Sequence, residues 1–150
     1  MTERRPRVLR IERTFDAPAD DVFDAWTNEE VMKRWLHGTT VLETPVAEVD
    51  LRVGGRVRVV MRNPEDGTEY GATGEYTLID RPRRLVFTWV WDDDPDNPQL
   101  IELEFSERDR MTTVVMINSG IGADQQRDEQ EEGWQVCFDN LDGALAETSG

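Results

Sequence analysis

Residues 124–147 constrain the fold of this chain more than any other segment, because they read as one long helix that follows an extended run of strands. Within it Trp134, Cys137, Phe138, Leu141, Ala144 and Leu145 recur at offsets of three, four, seven, ten and eleven. That spacing sets them on one face of a helix with a 3.6-residue period, and Gln135, Asp139, Asn140, Asp142 and Glu147 fall largely off it. A helix with one broad apolar face needs an apolar surface to lie on, and the strands supply one as the concave side of a curved antiparallel sheet. A sheet that grips a helix commonly leaves a gap between them, and such gaps hold ligands. Gly133, next to Trp134, has two readings: it relieves close contact and widens a pocket mouth, or it bends the helix where the apolar half begins.

The preceding residues divide at strong turn signals. Residues 8–15 read as a first strand, closed by Asp16-Ala17-Pro18. Val22, Phe23 and Trp26 form the apolar stripe of a short helix. Thr27-Asn28-Glu29-Glu30 reads as a capping-box start for a second helix carrying Val31 and Trp35. After Gly38 the pattern becomes strands, over 41–49, 56–62, 70–79, 85–91, 100–105 and 112–118. Gly54-Gly55, Asn63-Pro64-Glu65-Asp66-Gly67 and Asp80-Arg81-Pro82-Arg83 separate them, as does the acidic loop from Asp92 to Pro98. Consecutive strands joined by short turns make an antiparallel meander, here in one domain with its core over about residues 8–147.

Charge excludes whole classes of partner. The net charge of −15 leaves no basic footprint for nucleic acid and disfavours an anionic membrane surface. No apolar run approaches the ~20 residues of a membrane span. The first ten residues carry Arg4, Arg5 and Arg7 without the apolar stretch of a secretory signal, so the cytoplasm is the expected compartment. Lys33 is the sole lysine among 17 basic residues. That bias fits a salt-rich cell, where screening removes the self-repulsion of an acidic chain, and equally a genome that favours arginine codons. The single cysteine, Cys137, lies on the apolar helix face and reads as a buried structural thiol. Metal-ligand spacing, a phosphate-binding glycine loop and a serine nucleophile signature are all missing, so no cofactor is expected. The one histidine, His37, has no carboxylate partner fixed by sequence and makes a poor general base.

Particular stretches occur in a telling order. They are Arg13-Thr14-Phe15-Asp16-Ala17-Pro18 leading to Val22-Phe23, then Lys33-Arg34-Trp35, Gly54-Gly55-Arg56 and Met61-Arg62-Asn63-Pro64. Asp66-Gly67 with Glu69-Tyr70, Gly74-Glu75-Tyr76, the run from Pro82 to Trp91, and Glu131-Glu132-Gly133-Trp134 complete the set. With these the chain resembles the START-like (SRPBCC) helix-grip superfamily. Within it, the chain is most similar to the branch named after the C-terminal domain of the heat-shock-protein-90 ATPase activator. The resemblance implies an α+β helix-grip fold. Its curved antiparallel sheet has about six to seven strands, with two short helices after the first and a long C-terminal helix across the concave face. Two departures stand out. Trp35-Leu36-His37-Gly38 replaces the family's frequent Trp-Trp-Gly-Pro, and Ile117-Asn118 replaces a Thr-His pair, removing any chemistry of that histidine. Full-length chaperone activators also carry a separate N-terminal domain without a counterpart here, which argues against direct ATPase activation.

Strand alternation outlines the expected interior. Val57, Val59 and Met61 share a face on one strand, Tyr70, Ala72, Gly74, Tyr76 and Leu78 on the next, and Leu85, Phe87, Trp89 and Trp91 on the one after. Ile101, Leu103 and Phe105 oppose Glu102 and Glu104, and the resemblance turns Val114, Met116 and Asn118 inward. The expected ligand-binding set is Trp35, Met61, Tyr70, Tyr76, Phe87, Trp89, Leu103, Met116, Asn118, Trp134 and Phe138. Tyr70, Tyr76 and Asn118 are its polar handles, in a cavity of roughly 300 Å³ or more. The same positions also suit an ordinary packed core. Three functions stay open: binding of a small apolar or aromatic ligand, docking to a heat-shock chaperone, and cyclase- or hydratase-type catalysis in the same cavity. Binding leads, with no catalytic residue assigned.

Overall fold

A computed structural model describes residues 7–37, 43–122 and 124–148. The elements run β1 (Arg7–Phe15), α1 (Ala19–Thr27), α2 (Glu29–Trp35), β2 (Glu43–Val49), β3 (Arg56–Arg62), β4 (Glu69–Asp80), β5 (Arg84–Trp91), β6 (Gln99–Arg108), β7 (Met111–Ile121) and α3 (Asp124–Thr148). The expected turn at Gly38 and the start of the strand at Val41 lie outside the described residues. All seven strands form one antiparallel sheet in the order β1-β7-β6-β5-β4-β3-β2. Strands β2 to β7 are a meander, and β1 closes the far edge against β7. The pair α1–α2 carries the chain from one edge to the other, and α3 packs across the sheet: the helix-grip α+β architecture.

Burial follows the helical and strand periods. Trp134, Cys137, Phe138, Leu141, Ala144 and Leu145 are all buried, as are Val57, Val59, Met61, Ile101, Leu103, Phe105, Val114, Met116 and Asn118. The two short helices contribute Val22, Phe23, Trp26, Met32 and Trp35 to the same core. Trp26 stands edge-on to Trp35 at 4.6 Å between ring centroids, and the Trp35 Nε1–H donates to the Ala25 carbonyl at 2.8 Å. Helix α3 is continuous through Gly133, so this glycine does not break it.

Two local expectations are corrected. Leu78 was expected on the inner face with Tyr76, but the β4–β5 register slips between these residues. The extra residue flips the alternation, so Ile79, opposite the fully buried Leu85, packs on the core instead. The second helix is capped by Asn28 and not by the expected Thr27. The Asn28 Oδ1 accepts the Glu30 and Val31 N–H groups at 3.0 and 3.2 Å. Thr27 belongs to the last turn of α1, where its hydroxyl donates to the Phe23 carbonyl at 3.0 Å.

Candidate functional site

The two halves of α3 meet the sheet differently. Its backbone approaches β1 and β7 closely on one flank and α1 and α2 on the other. Where it passes over β3, β4 and β5, a cavity of about 550 Å³ separates helix from sheet. Leu36, Met61, Trp89, Trp134 and Cys137 form its buried wall. Asn63, Trp91, Gln126, Gln130 and Gly133 are half-buried lining, and Tyr70, Asp93 and Glu129 stand exposed at the mouth. The wall is therefore apolar and aromatic, and the mouth is polar and acidic. Trp89 lies edge-on to Trp91 at 5.5 Å between centroids, and Trp134 is 6.3 Å from Trp89.

Of the residues expected to bind a ligand, Met61, Tyr70, Trp89 and Trp134 line this cavity. Tyr70, expected inside, is 44% exposed at the mouth, near the start of β4, where the strand's first two residues are both exposed. The other seven lie behind the wall or under the packed half of α3. Trp35 braces α1 against α2; Tyr76 and Phe87 pack edge-on at 5.9 Å; Leu103 and Met116 are fully buried in the sheet core. Phe138 sits between Phe15 and Trp26, about 6 Å from each ring.

Asn118 spends its amide on the protein. Its Nδ2 donates to Gln99 Oε1 at 3.0 Å, and its Oδ1 accepts from Gln130 Nε2 at 2.8 Å. The Gln99 and Gln130 amides also bond each other both ways at 3.0 Å. Gln99 and Asn118 are almost wholly buried, so this closed set satisfies polar groups that would otherwise be costly to bury. It ties the polar half of α3 to β6 and β7, and Gln130 presents its outer side to the cavity.

Titratable chemistry along the buried wall is limited to one thiol. Cys137 donates to the His37 carbonyl at 3.2 Å, and burial pushes its pKa up to about 12. The thiol is thus held neutral and is no nucleophile. His37 folds onto α3: its Nδ1 lies 3.2 Å from Asn140 Nδ2 and its Nε2 3.3 Å from the Arg34 carbonyl. An amide N–H can only donate, so this geometry sets Nδ1 as acceptor and Nε2–H as donor. Burial also raises the pKa of the Tyr76 phenol, which stays neutral. The Trp89 indole N–H has no acceptor among the described residues, although Trp89 is only 3% exposed. Among the described residues no His, Cys, Asp and Glu cluster is arranged to hold a metal ion, and no helix is long and apolar enough to cross a membrane.

The lining residues of α3 that were missed in the sequence share one signal. On α3, Glu129, Gln130, Gly133 and Cys137 follow Gln126 by three, four, seven and eleven residues, the helical face of Trp134 carried back into the polar half. Asp93 and Asn63 come from loops, whose approach to the helix no periodicity reports.

Among solved structures, a protein from Chromobacterium violaceum superposes with a TM-score of 0.84 at 20% identity, over 93% of this chain and 98% of that one. The AHSA1 protein from Silicibacter pomeroyi gives 0.83 at 25% identity, covering 95% and 99%. The AHSA1-like protein from Aeromonas hydrophila gives 0.78 at 24% identity, covering 95% and 94%. No curated protein matches the chain. Residues 16–146 match the family described as Activator of Hsp90 ATPase homolog 1-like protein, and with that match over most of its length the chain belongs to this family.

Proposed function

We propose that this protein binds a small apolar or aromatic molecule in the space between α3 and strands β3 to β5. One observation carries the reading: a cavity of about 550 Å³ has a buried wall of Trp89, Trp134, Met61 and Leu36 and a polar mouth. Ligand pockets have this form, concave and mostly apolar, with a few polar groups that fix orientation. The size of this cavity falls in the range of clefts that hold small ligands. A wall whose one titratable group is a neutral thiol favours binding over nucleophilic or acid–base chemistry.

The experiment follows the five tryptophan indole N–H signals by NMR during titration with flavonoids, sterols, fatty acids and aromatic polyketide-like compounds. Saturable shifts at Trp89, Trp91 and Trp134, with Trp26 and Trp35 little changed, support the reading. Shifts at none of the three with any compound overturn it. Family membership supports the chaperone reading, whose direct test is complex formation with a heat-shock-protein-90 chaperone at low salt.

A further inference from the structure

Charge at the cavity is one-sided. Its lining includes two carboxylates, Asp93 and Glu129, and no lysine, arginine or histidine. Asp93 has no hydrogen bond or ion pair among the described residues, and Glu129 accepts only a 3.2 Å bond from the neutral Gln125 amide. Three basic residues on the flanking elements are engaged elsewhere, and none of the flanking arginines is part of the lining. Arg58 holds Asp92 through two bonds of 2.7 and 2.8 Å, Arg62 reaches Glu43, and Arg127 lies between Asp128 and Glu131. Among the described residues no ion pair answers Asp93 or Glu129, and Arg58, which shares a neighbouring hollow with Asp93, is neutralised by Asp92. Tyr70 stands with them at the mouth, and behind are the rings of Trp91, Trp89 and Trp134. Aromatic faces attract cations, most strongly where water is excluded, and repel anions. Carboxylates outside an aromatic recess draw a positive headgroup in and turn an anionic one away.

Resting on the binding reading above, we infer that the cavity is selective for an organic cation. The ligand is an ammonium or amidinium compound whose apolar body lies along Trp89 and Trp134 and whose charge meets Asp93 and Glu129. A carboxylate-bearing lipid of the same length is excluded.

Three probes with the same ten-carbon chain test this: decyltrimethylammonium, decanol and decanoate, each kept monomeric at neutral pH and low salt. The indole signals of Trp89, Trp91 and Trp134 report occupancy. The cation is expected to bind roughly ten-fold tighter than decanoate, with decanol between them. The double variant Asp93→Asn/Glu129→Gln is expected to remove most of that preference while still binding decanol. Both sites are exposed, so the fold should be retained, and unchanged amide spectra would verify it. A control variant, Glu75→Gln/Glu104→Gln, removes two exposed carboxylates that are not part of the lining and is expected to keep the preference. Equal loss in the control would assign the effect to the overall charge of −15 and overturn the inference. Equal affinities for the three probes, or tighter decanoate binding, would overturn it and leave the cavity reading standing. No binding by any of the three probes would overturn the inference, and the wider compound panel above then decides the cavity reading separately.

Discussion

The two halves of α3 belong to one uninterrupted helix and hold the sheet by opposite means. From Trp134 onward an apolar stripe packs into the core, with Phe138 and Leu141 fully buried. Arg13 from β1 ties that half from outside, stacking over Phe138 at 5.7 Å and donating to Asp139 and Gln135. The half before Trp134 has no apolar residue from Gln125 to Glu132 and is held by amides and by Arg127, which donates to the Val8 carbonyl at 3.2 Å. Polar side chains cannot fill an apolar interior without a desolvation cost. The helix therefore closes the space beneath its apolar half and leaves it open beneath its polar half. The cavity is sited by the point at which the helix stops being apolar.

The largest test of this contrast is Phe138→Ala. Removing a fully buried ring that touches Phe15, Trp26 and Trp134 should cost about 3–5 kcal/mol in chemical denaturation. A loss below about 1 kcal/mol would mean that the apolar half is not the main anchor. Next is Asn118→Ala, which takes one hydrogen bond from each of the buried Gln99 and Gln130 amides while leaving their mutual pair, and should cost about 1–3 kcal/mol. Hydrogen exchange should then speed up in α3 before Gly133 and stay slow after it; uniform acceleration would erase the distinction between the halves. Gly143→Ala should stabilise the protein by about 0.5–1 kcal/mol, because a Cβ at this helical position meets nothing within 4 Å. A fall in melting temperature would show that the C-terminal half is tighter than its contacts indicate.

The smallest effect concerns the loop that brings Asp93 to the mouth. Its neighbour Asp92 accepts both Arg58 bonds, mainly through which its carboxyl is held below the ordinary value of 3.8, and a side chain at Gly71 would collide with that pair. A depressed carboxylate stabilises the fold above its unfolded pKa, and that contribution disappears as pH falls through the folded value. Asp92→Asn should therefore lower the melting temperature slightly at neutral pH and match the parent in strong acid. Both side chains are partly exposed, so the difference should also shrink with salt. A difference that persists in acid would assign the effect to shape alone.

Much of the fold was legible because burial repeats with the helical and strand periods. The face predicted for α3 is buried at all six positions from Trp134 to Leu145. Alternation failed at Leu78, where one extra residue in β4 reversed the phase that a continuous strand would keep. The site was less legible. Periodicity says that Phe87 and Trp89 both point inward, yet only Trp89 lines the cavity. It says the same of Asn118, whose amide is consumed by Gln99 and Gln130.

By itself the sequence determined the order of elements, the apolar faces of helix and sheet, and the family to which the chain belongs, because these depend on local spacing and on residue order along the chain. Which inward-facing residues meet open space was decided by tertiary structure alone. That depends on where α3 crosses the sheet, on which strands its polar half spans, and on which loops approach from outside. These are relations between distant segments, set by packing and by the pairing of buried amides, and no window of sequence contains them.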